Sequence, residues 1–263
     1  MSNKLNNLKH LTRNWKLETN KAIRVVALGS SNTDLHWHSL GHFNWFSWVS
    51  ASLQEWIGRH VTSINQGING ETIEDLLKRI ERDVISYKPD ITFITIGGND
   101  ANAGMALDDY RTSLEKIIDK LFKIDCLPIL QTYYCPIYEE MSETFQKFPE
   151  YMEIKRTISS ERQIPLIDQY KYFSALYQNE KNTYSEIMLD GLHVNPIGNA
   201  IMGLIACRSC YLPDPVFLDR SFENKVQYYL DKMNQNLELP PSVKVRKHEI
   251  VKKGYRDYFE KLS

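Results

Sequence analysis

Short apolar runs alternate with segments of helical periodicity between residue 22 and about residue 210. This alternation is typical of βαβ units built on a parallel sheet. Several of the runs are apolar throughout, as strands covered on both faces should be. The pattern predicts five strands, at residues 23–28, 61–65, 90–96, 127–132 and 164–167.

Between the predicted strands, apolar residues recur every three or four positions and form the buried stripes of helices. A final helix is marked by Asn195, which can cap it, and by Pro196, which suits its first turn. Five strands with helical crossovers predict a three-layer α/β/α domain. The two clearest stripes comprise Ile73, Leu76, Leu77, Ile80 and Val84, and then Leu107, Tyr110, Leu114, Ile117, Ile118 and Leu121.

The pattern changes beyond residue 212, where prolines interrupt a further helical stretch at about residues 221–236. We therefore divide the chain into a domain at residues 1–212, with its core at 22–210, and a helical C-terminal extension at 213–263. Residues 242–263 carry seven Lys or Arg and three acidic residues with interspersed aromatics. We expect a helix there that packs on the domain or on a partner subunit in a homodimer; a nucleic-acid arm is the alternative.

The composition is that of an ordinary globular chain, with 263 residues, 42% hydrophobic and 25% charged. A formal charge of −1 supplies no general attraction to nucleic acid or to anionic lipid, so neither is an expected partner. No apolar run is long enough to span a membrane, and the first 24 residues lack the apolar segment of a secretory signal. With only four cysteines, these features favour a cytoplasmic location.

Small polar segments follow the first three predicted strands and precede the final helix, at residues 29–33, 65–70, 97–100 and 190–193. Ligands of parallel sheets bind beyond the carboxyl ends of the strands. The four segments together offer a hydroxyl, an imidazole, a carboxylate and several hydrogen-bond donors. Acyl transfer needs this set: a nucleophile, a base, a group that orients the base, and donors for an oxyanion.

The order and spacing of these segments resemble the four sequence blocks of the SGNH (GDSL-type) hydrolase superfamily. A serine follows the first strand, Asn-x-x-x-x-Gly the second, Gly-Gly-Asn-Asp the third, and Asp-x-x-His precedes the last helix. The resemblance covers residues 22–210. It implies a flavodoxin-like sandwich with strand order 2-1-3-4-5 that hydrolyses esters or thioesters and needs no metal or organic cofactor.

The resemblance also implies roles for individual residues. Ser31 corresponds to the nucleophile, His193 to the general base and Asp190 to the residue that orients the base. The backbone N–H groups of Ser31 and Gly70 and the side-chain amide of Asn99 correspond to the oxyanion hole.

The first block departs from the usual Gly-Asp-Ser, because Ser30 stands in the aspartate position. Ser30 is therefore an alternative nucleophile. The nucleophile of Gly-Asp-Ser stands two residues after the glycine, however, and the residue two after Gly29 is Ser31. Loss of the aspartate could alter the rigidity of this loop.

Aromatic and histidine side chains near these blocks are candidates for substrate contact, namely His36, Trp37, Tyr133 and Tyr134. The trio His36, His38 and His42 could also hold a metal or pack on a helix, and no nearby carboxylate or cysteine completes a metal shell. The Cys207 and Cys210 pair lies late in an amphipathic helix, so we interpret both as core thiols.

These observations predict a serine esterase that acts through an acyl-enzyme on a small-molecule ester with a small or carbohydrate-linked acyl group. A thioesterase or an acyltransferase would use the same site. The missing aspartate and the C-terminal extension leave a second hypothesis, a non-hydrolytic ligand-binding or scaffolding module on the same fold.

Overall fold

The centre of the molecule is a parallel sheet of five strands in the order β2-β1-β3-β4-β5. The structure is a computed structural model that describes residues 2–36 and 38–244. Helices cover the sheet on both faces, so the predicted α/β/α fold and strand order are confirmed. The strands are β1 (Ile23–Gly29), β2 (Val61–Gly67), β3 (Ile91–Thr95), β4 (Leu127–Gln131) and β5 (Leu166–Ile167).

The helices of the two outer layers follow from the strand order. The chain steps one way from β1 to β2 and the opposite way from β2 to β5, and right-handed crossovers then place the intervening helices on opposite faces. The helices are α1 (Ser2–Leu17), α2 (Trp45–Trp56), α3 (Ile73–Asp83), α4 (Gly98–Asn102), α5 (Leu107–Phe122), α6 (Phe148–Arg162), α7 (Gln169–Asn179), α8 (Lys181–Ser185), α9 (Pro196–Ser209) and α10 (Arg220–Asn236). α2 packs on α9, whereas α3 packs on α5 and α5 on α6.

Three strands end at one level at the carboxyl edge of the sheet. Gly29 of β1 pairs with Gly67 of β2 on one side and with Thr95 of β3 on the other. The direction of chain progression reverses between β1 and β3, which is the usual place for a ligand site in such a sheet. The loops after β1, β2 and β3 therefore leave the sheet side by side at this point.

The predicted start of the last core helix is confirmed. The side-chain oxygen of Asn195 accepts hydrogen bonds from the N–H groups of Ile197 and Gly198 at 2.9 and 3.2 Å, and Pro196 is the first helical residue. Because these bonds occupy N–H groups that lack a partner within the helix, they fix where α9 begins. His193 lies three residues before that start.

β5 and α1 differ most from the sequence prediction. β5 is shorter than expected, because Ile164 still bonds back to Ser159 at the end of α6 and Pro165 has no N–H to donate. α1 was not predicted, although Leu8 and Trp15 lie seven positions apart on its buried side.

The C-terminal extension packs on the domain over residues 213–239. α10 contacts α7 and α9, the Ser52 hydroxyl donates to the Pro213 carbonyl at 2.6 Å, and the Trp48 ring stacks on Phe217 with centroids 4.5 Å apart. Most of the predicted terminal helix, residues 245–263, lies outside the described residues. Within the described part of the chain, no helix has the length and apolar character needed to cross a bilayer.

Candidate active site

The loop that carries Ser31 is a tight turn packed on the end of the sheet. The N–H groups of Thr33 and Asp34 both donate to the Ser30 carbonyl, at 2.9 and 3.0 Å. A Cβ atom at Gly67 would lie 2.2 Å from the carbonyl carbon of Thr33 and 2.3 Å from the Asp34 nitrogen. Only a glycine at the end of β2 therefore lets the turn lie this close to the sheet.

Asp34 fastens this turn to the loop that follows β2. One carboxylate oxygen accepts the N–H of His36 at 2.7 Å, and the other accepts the N–H of Asn69 at 3.0 Å. The two loops are thus held together by one buried carboxylate.

A second turn, before α9, presents Asp190 and His193 side by side. It is closed by an antiparallel bridge between Met188 and Val194. One Asp190 oxygen accepts the N–H groups of Leu192 and His193, each at 2.7 Å. The carboxylate that faces the imidazole therefore also shapes the turn that carries it.

The three predicted catalytic side chains meet. His193 Nε2 lies 3.1 Å from Ser31 Oγ, and His193 Nδ1 lies 2.9 Å from Asp190 Oδ2. Burial alone would raise the pKa of Asp190, but hydrogen bonds from the His193 ring and the Leu192 N–H hold it below its ordinary value. The carboxylate is then ionised at neutral pH and favours the imidazole tautomer with its proton on Nδ1, which leaves Nε2 to accept a proton.

Ser30 points elsewhere. Its hydroxyl lies 2.7 Å from the hydroxyl of Tyr133, and both side chains are buried. Of the two adjacent serines, the one that contacts the imidazole is therefore Ser31. Ser30 instead connects the turn to the buried Tyr133.

The predicted oxyanion-hole residues follow β2 and β3 at the same edge. Gly70 has a φ of +81° and no atom within 4 Å of where its Cβ would be, so the space beside it is open. Asn99 donates one amide hydrogen to the Glu71 carbonyl at 2.8 Å. Because an amide nitrogen carries two hydrogens, Asn99 can tie the two loops together and still donate to a substrate. Its role, like that of Gly70, stays a prediction.

The four residues predicted to contact the substrate differ in where the structure places them. The His36 side chain is 89% exposed and lies 3.3 Å from Asp34, at the rim of the site. Trp37 lies outside the described residues. Tyr133 and Tyr134 do not form a pocket wall, since each is only 1% exposed. This corrects the sequence interpretation: residues just beyond an apolar strand continue into the core instead of leaving it.

Tyr134 has a supporting role that the sequence did not indicate. Its hydroxyl contacts the side-chain oxygen of Asn32 and the backbone carbonyl of Leu192. It thereby connects the turn of Ser31 with the turn of His193 from beneath.

His38 belongs to this site in a way that the sequence did not predict. Its ring stacks on the ring of His193, with centroids 3.5 Å apart and an interplanar angle of 4°. Nitrogen and oxygen atoms of His38, Asp190 and His193 lie within 4.8 Å of one another, which is close enough for a metal. However, the nitrogen lone pairs of parallel rings lie in parallel planes and do not converge, so this geometry does not favour metal binding. His42 is exposed on the same loop.

The four cysteines are free thiols in the interior. Burial raises the pKa of Cys210 to about 12, and it raises that of Cys207 as well. A thiol that keeps its proton is a poor nucleophile and a poor metal ligand.

A 2-1-3-4-5 sheet whose first three loops and last turn carry these four blocks defines a hydrolase of the SGNH type. The model of the GDSL-like Lipase/Acylhydrolase family matches residues 27–201, and the chain belongs to this family. It is an esterase- or lipase-like hydrolase that acts on ester bonds. This assignment favours the enzyme over a non-hydrolytic module.

Individual proteins resemble this chain at low identity. The uncharacterized lipoprotein YqeF of Bacillus subtilis (strain 168) is 27% identical over 206 residues, which cover 66% of this chain and 81% of YqeF. An acetylxylan esterase of Geobacillus stearothermophilus is 26% identical over 150 residues, 53% of this chain and 67% of that protein. The crystal structure of Axe2, an acetylxylan esterase from Geobacillus stearothermophilus, has a TM-score of 0.63 at 22% identity over 72% of this chain and 94% of its own.

The comparisons lend no support to the predicted cytoplasmic location, since YqeF bears the name of a lipoprotein. The location stays a prediction, as do the domain boundary and the homodimer.

Proposed function

We propose that the chain hydrolyses carboxylic esters through an acyl-enzyme formed on Ser31. The observation that carries the proposal is the continuous line of contacts from Ser31 Oγ through the His193 ring to Asp190, at 3.1 and 2.9 Å. A hydroxyl is a weak nucleophile until a base removes its proton, and this geometry places a base within reach.

In the first half of the reaction, Ser31 Oγ attacks the ester carbonyl carbon while its proton passes to His193 Nε2. The carbonyl oxygen becomes an oxyanion, for which the N–H groups of Ser31 and Gly70 and the amide of Asn99 are the proposed donors. The bond from carbon to the alcohol oxygen then breaks, and that oxygen takes the proton from His193. Asp190 stabilises the imidazolium that exists between these two transfers.

In the second half, water gives a proton to His193 and its oxygen attacks the acyl carbon. The bond to Ser31 Oγ breaks, the proton returns from His193 to that oxygen, and the carboxylic acid leaves. Each oxyanion donor is typically worth about 2.7 to 4 kcal/mol in such transition states.

For the substrate, we propose a small acyl group on an alcohol that can be as large as a carbohydrate. The site lies at the surface, since the Asp190 side chain is 50% exposed and His36 lies at the rim. A bulky alcohol could therefore remain outside while its ester enters. The acetylxylan esterase relatives support this substrate class, and the catalytic mutants of Axe2 replace a serine, an aspartate or a histidine.

Ser31→Ala tests the proposal. With nitrophenyl acetate and with acetylated xylo-oligosaccharides, we expect kcat to fall by at least about a thousandfold, because the remaining groups cannot form the acyl-enzyme. A fluorophosphonate probe should label the wild-type chain at Ser31, as mass spectrometry of the modified peptide can show.

Ser30→Ala is the matched control, since it removes the adjacent hydroxyl that contacts Tyr133 instead of His193. It should keep turnover and labelling. Wild-type turnover in Ser31→Ala, or labelling that moves to Ser30, would contradict the assignment. Turnover of short acyl thioesters far above that of oxygen esters would favour the thioesterase alternative.

A further inference from the structure

The imidazole of His38 lies flat against the imidazole of His193. The ring centroids are 3.5 Å apart and the planes differ by 4°. His38 belongs to the loop after the Ser31 turn, and its side chain lies near that of Asn69 in the loop after β2. One face of the proposed base is thus covered by a ring that comes from a different loop.

The reaction proposed above requires His193 to keep one orientation. Its Nδ1 must face Asp190 while its Nε2 serves the serine, the alcohol oxygen and water in turn. The turn that carries His193 fixes its backbone, and the contact with Asp190 fixes one edge of the ring. The His193 ring can still rotate about the edge that contacts Asp190, unless neighbouring side chains pack against the two faces of the ring. His38 packs against one of these faces.

The charge of His38 suits this position. Burial, and then the neighbouring His193, lower the pKa of His38, while Asp190, the Asn69 hydrogen bond and Asp34 oppose that shift. His38 is therefore neutral at neutral pH, and its π face lies beside His193 when that ring becomes an imidazolium. A cation against a neutral aromatic face is favourable, whereas two stacked imidazolium rings would repel each other.

We propose that His38 is a positioning residue for His193, whose flat face holds the ring of the base in the plane that joins Asp190 to Ser31. The inference rests on the proposed function, because it assigns His38 a role in the reaction that His193 catalyses. His38 touches no reacting atom in this scheme and acts through the ring it covers.

Three substitutions at position 38 separate the effect of the flat ring from that of a polar group near Asn69. His38→Phe keeps a flat ring and loses the nitrogen atoms, His38→Gln keeps a hydrogen-bonding group for Asn69 and loses the ring, and His38→Ala loses both. His42→Ala, an exposed histidine on the same loop, is the control.

We expect kcat for nitrophenyl acetate to fall roughly 2- to 10-fold in His38→Ala and His38→Gln, the range that one aromatic stack provides. KM should stay unchanged, because in this proposal His38 acts on the His193 ring and not on the substrate. His38→Phe should restore kcat to within about twofold of wild type, and His42→Ala should match wild type.

Proton NMR supplies a readout that a purely structural role would not change. The stacked ring should shift the His193 ring protons upfield in wild type and in His38→Phe, but not in His38→Ala. In wild type, His38 should titrate at a lower pH than in His193→Gln, since the neighbouring imidazole lowers its pKa.

The inference is overturned if His38→Gln keeps wild-type kcat while His38→Phe loses it, since a polar interaction with Asn69 would then be what matters. It is also overturned if all three variants keep wild-type kcat. Failure of the proposed function looks different. In that case Ser31→Ala itself would retain turnover, and the fluorophosphonate probe would label it to the same extent as wild type.

Discussion

At the residue scale, Asp190 does two things with one carboxylate. One oxygen accepts two backbone N–H groups and builds the turn, and both oxygens lie within 3.1 Å of His193 Nδ1. A substitution that keeps the turn while changing what faces the imidazole can therefore separate the two roles.

Asp190→Asn is that substitution. The amide oxygen can still accept the backbone N–H groups, but the amide nitrogen would face Nδ1 and favour the tautomer with its proton on Nε2, which cannot accept the Ser31 proton. We expect kcat to fall by about 10²- to 10⁴-fold with little change in KM and in the thermal midpoint. Steady-state kinetics and a melting curve check this.

Asp190→Ala is the comparison, since it removes the turn as well and should also lower the thermal midpoint. Wild-type kcat in Asp190→Asn would show that this carboxylate does not set the tautomer of His193.

At the element scale, the sequence predicted the sheet well because its strands are buried on both faces. Val26 and Ile94 lie in central strands with no exposed surface, and such strands read as apolar runs. The start of α9 was equally clear, because a capping asparagine and a proline coincide at Asn195 and Pro196. The start of β5 could not be predicted, since Ile164 satisfies the same apolar pattern while bonding to the preceding helix.

The sequence predicted those residues of the candidate site that belong to the four motifs. Ser31, Asp190 and His193 are found together because each follows or precedes a regular element at a fixed spacing. Contacts that depend on packing across long sequence separations were missed: nothing local to His38 or Tyr134 indicates that they lie against His193 and Leu192. Tyr133 and Tyr134 were candidates for a pocket wall, with an ordinary aromatic loop as the alternative, because the sequence does not show how deeply the chain is buried after β4.

The contact between the end of β2 and the Ser31 turn gives a prediction at this scale. In Gly67→Ala, the new Cβ would overlap the backbone of Thr33 and Asp34, so the turn must move away from the strand. A displacement of about 1 Å at a catalytic group can cost up to about a hundredfold in rate. We expect kcat to fall by tenfold to about a hundredfold, and steady-state kinetics measures this.

Gly98→Ala is the control for that experiment. Its Cβ would meet only the Tyr133 ring, at 3.7 Å or more, which is ordinary contact. It should retain wild-type kcat. Equal kcat in Gly67→Ala and wild type would mean that the turn does not depend on its close approach to β2.

At the scale of the whole molecule, a buried lysine connects the helical layer with the carboxyl ends of the central strands. Lys155 of α6 has no exposed surface, and its side-chain nitrogen Nζ donates to the carbonyls of Ile96 and Gln131, just beyond β3 and at the end of β4. Burial lowers its pKa to about 7, with Asp100 opposing the shift. Burial likewise raises the pKa of Asp100 to about 6.

These two groups change the free energy of unfolding in separate pH ranges. The raised pKa of Asp100 means that the folded chain holds its proton more tightly than the unfolded chain, so this contribution is lost as pH rises toward 6. For Lys155 the sign is opposite. Between pH 7 and about 10 the unfolded lysine is protonated and the folded one is largely neutral, so unfolding takes up a proton and stability rises with pH.

Lys155→Met should remove that rise, because methionine has similar length and does not titrate. Buried tyrosines and cysteines also titrate above pH 9, but they are common to both proteins and cancel in the difference. We expect the unfolding free energy of wild type minus that of Lys155→Met to increase between pH 7 and 9 by up to about 1.4 kcal/mol per pH unit, as urea unfolding can measure. Parallel profiles would show that Lys155 stays protonated in the fold, and the sheet would then hold a buried ammonium ion beneath its carboxyl edge.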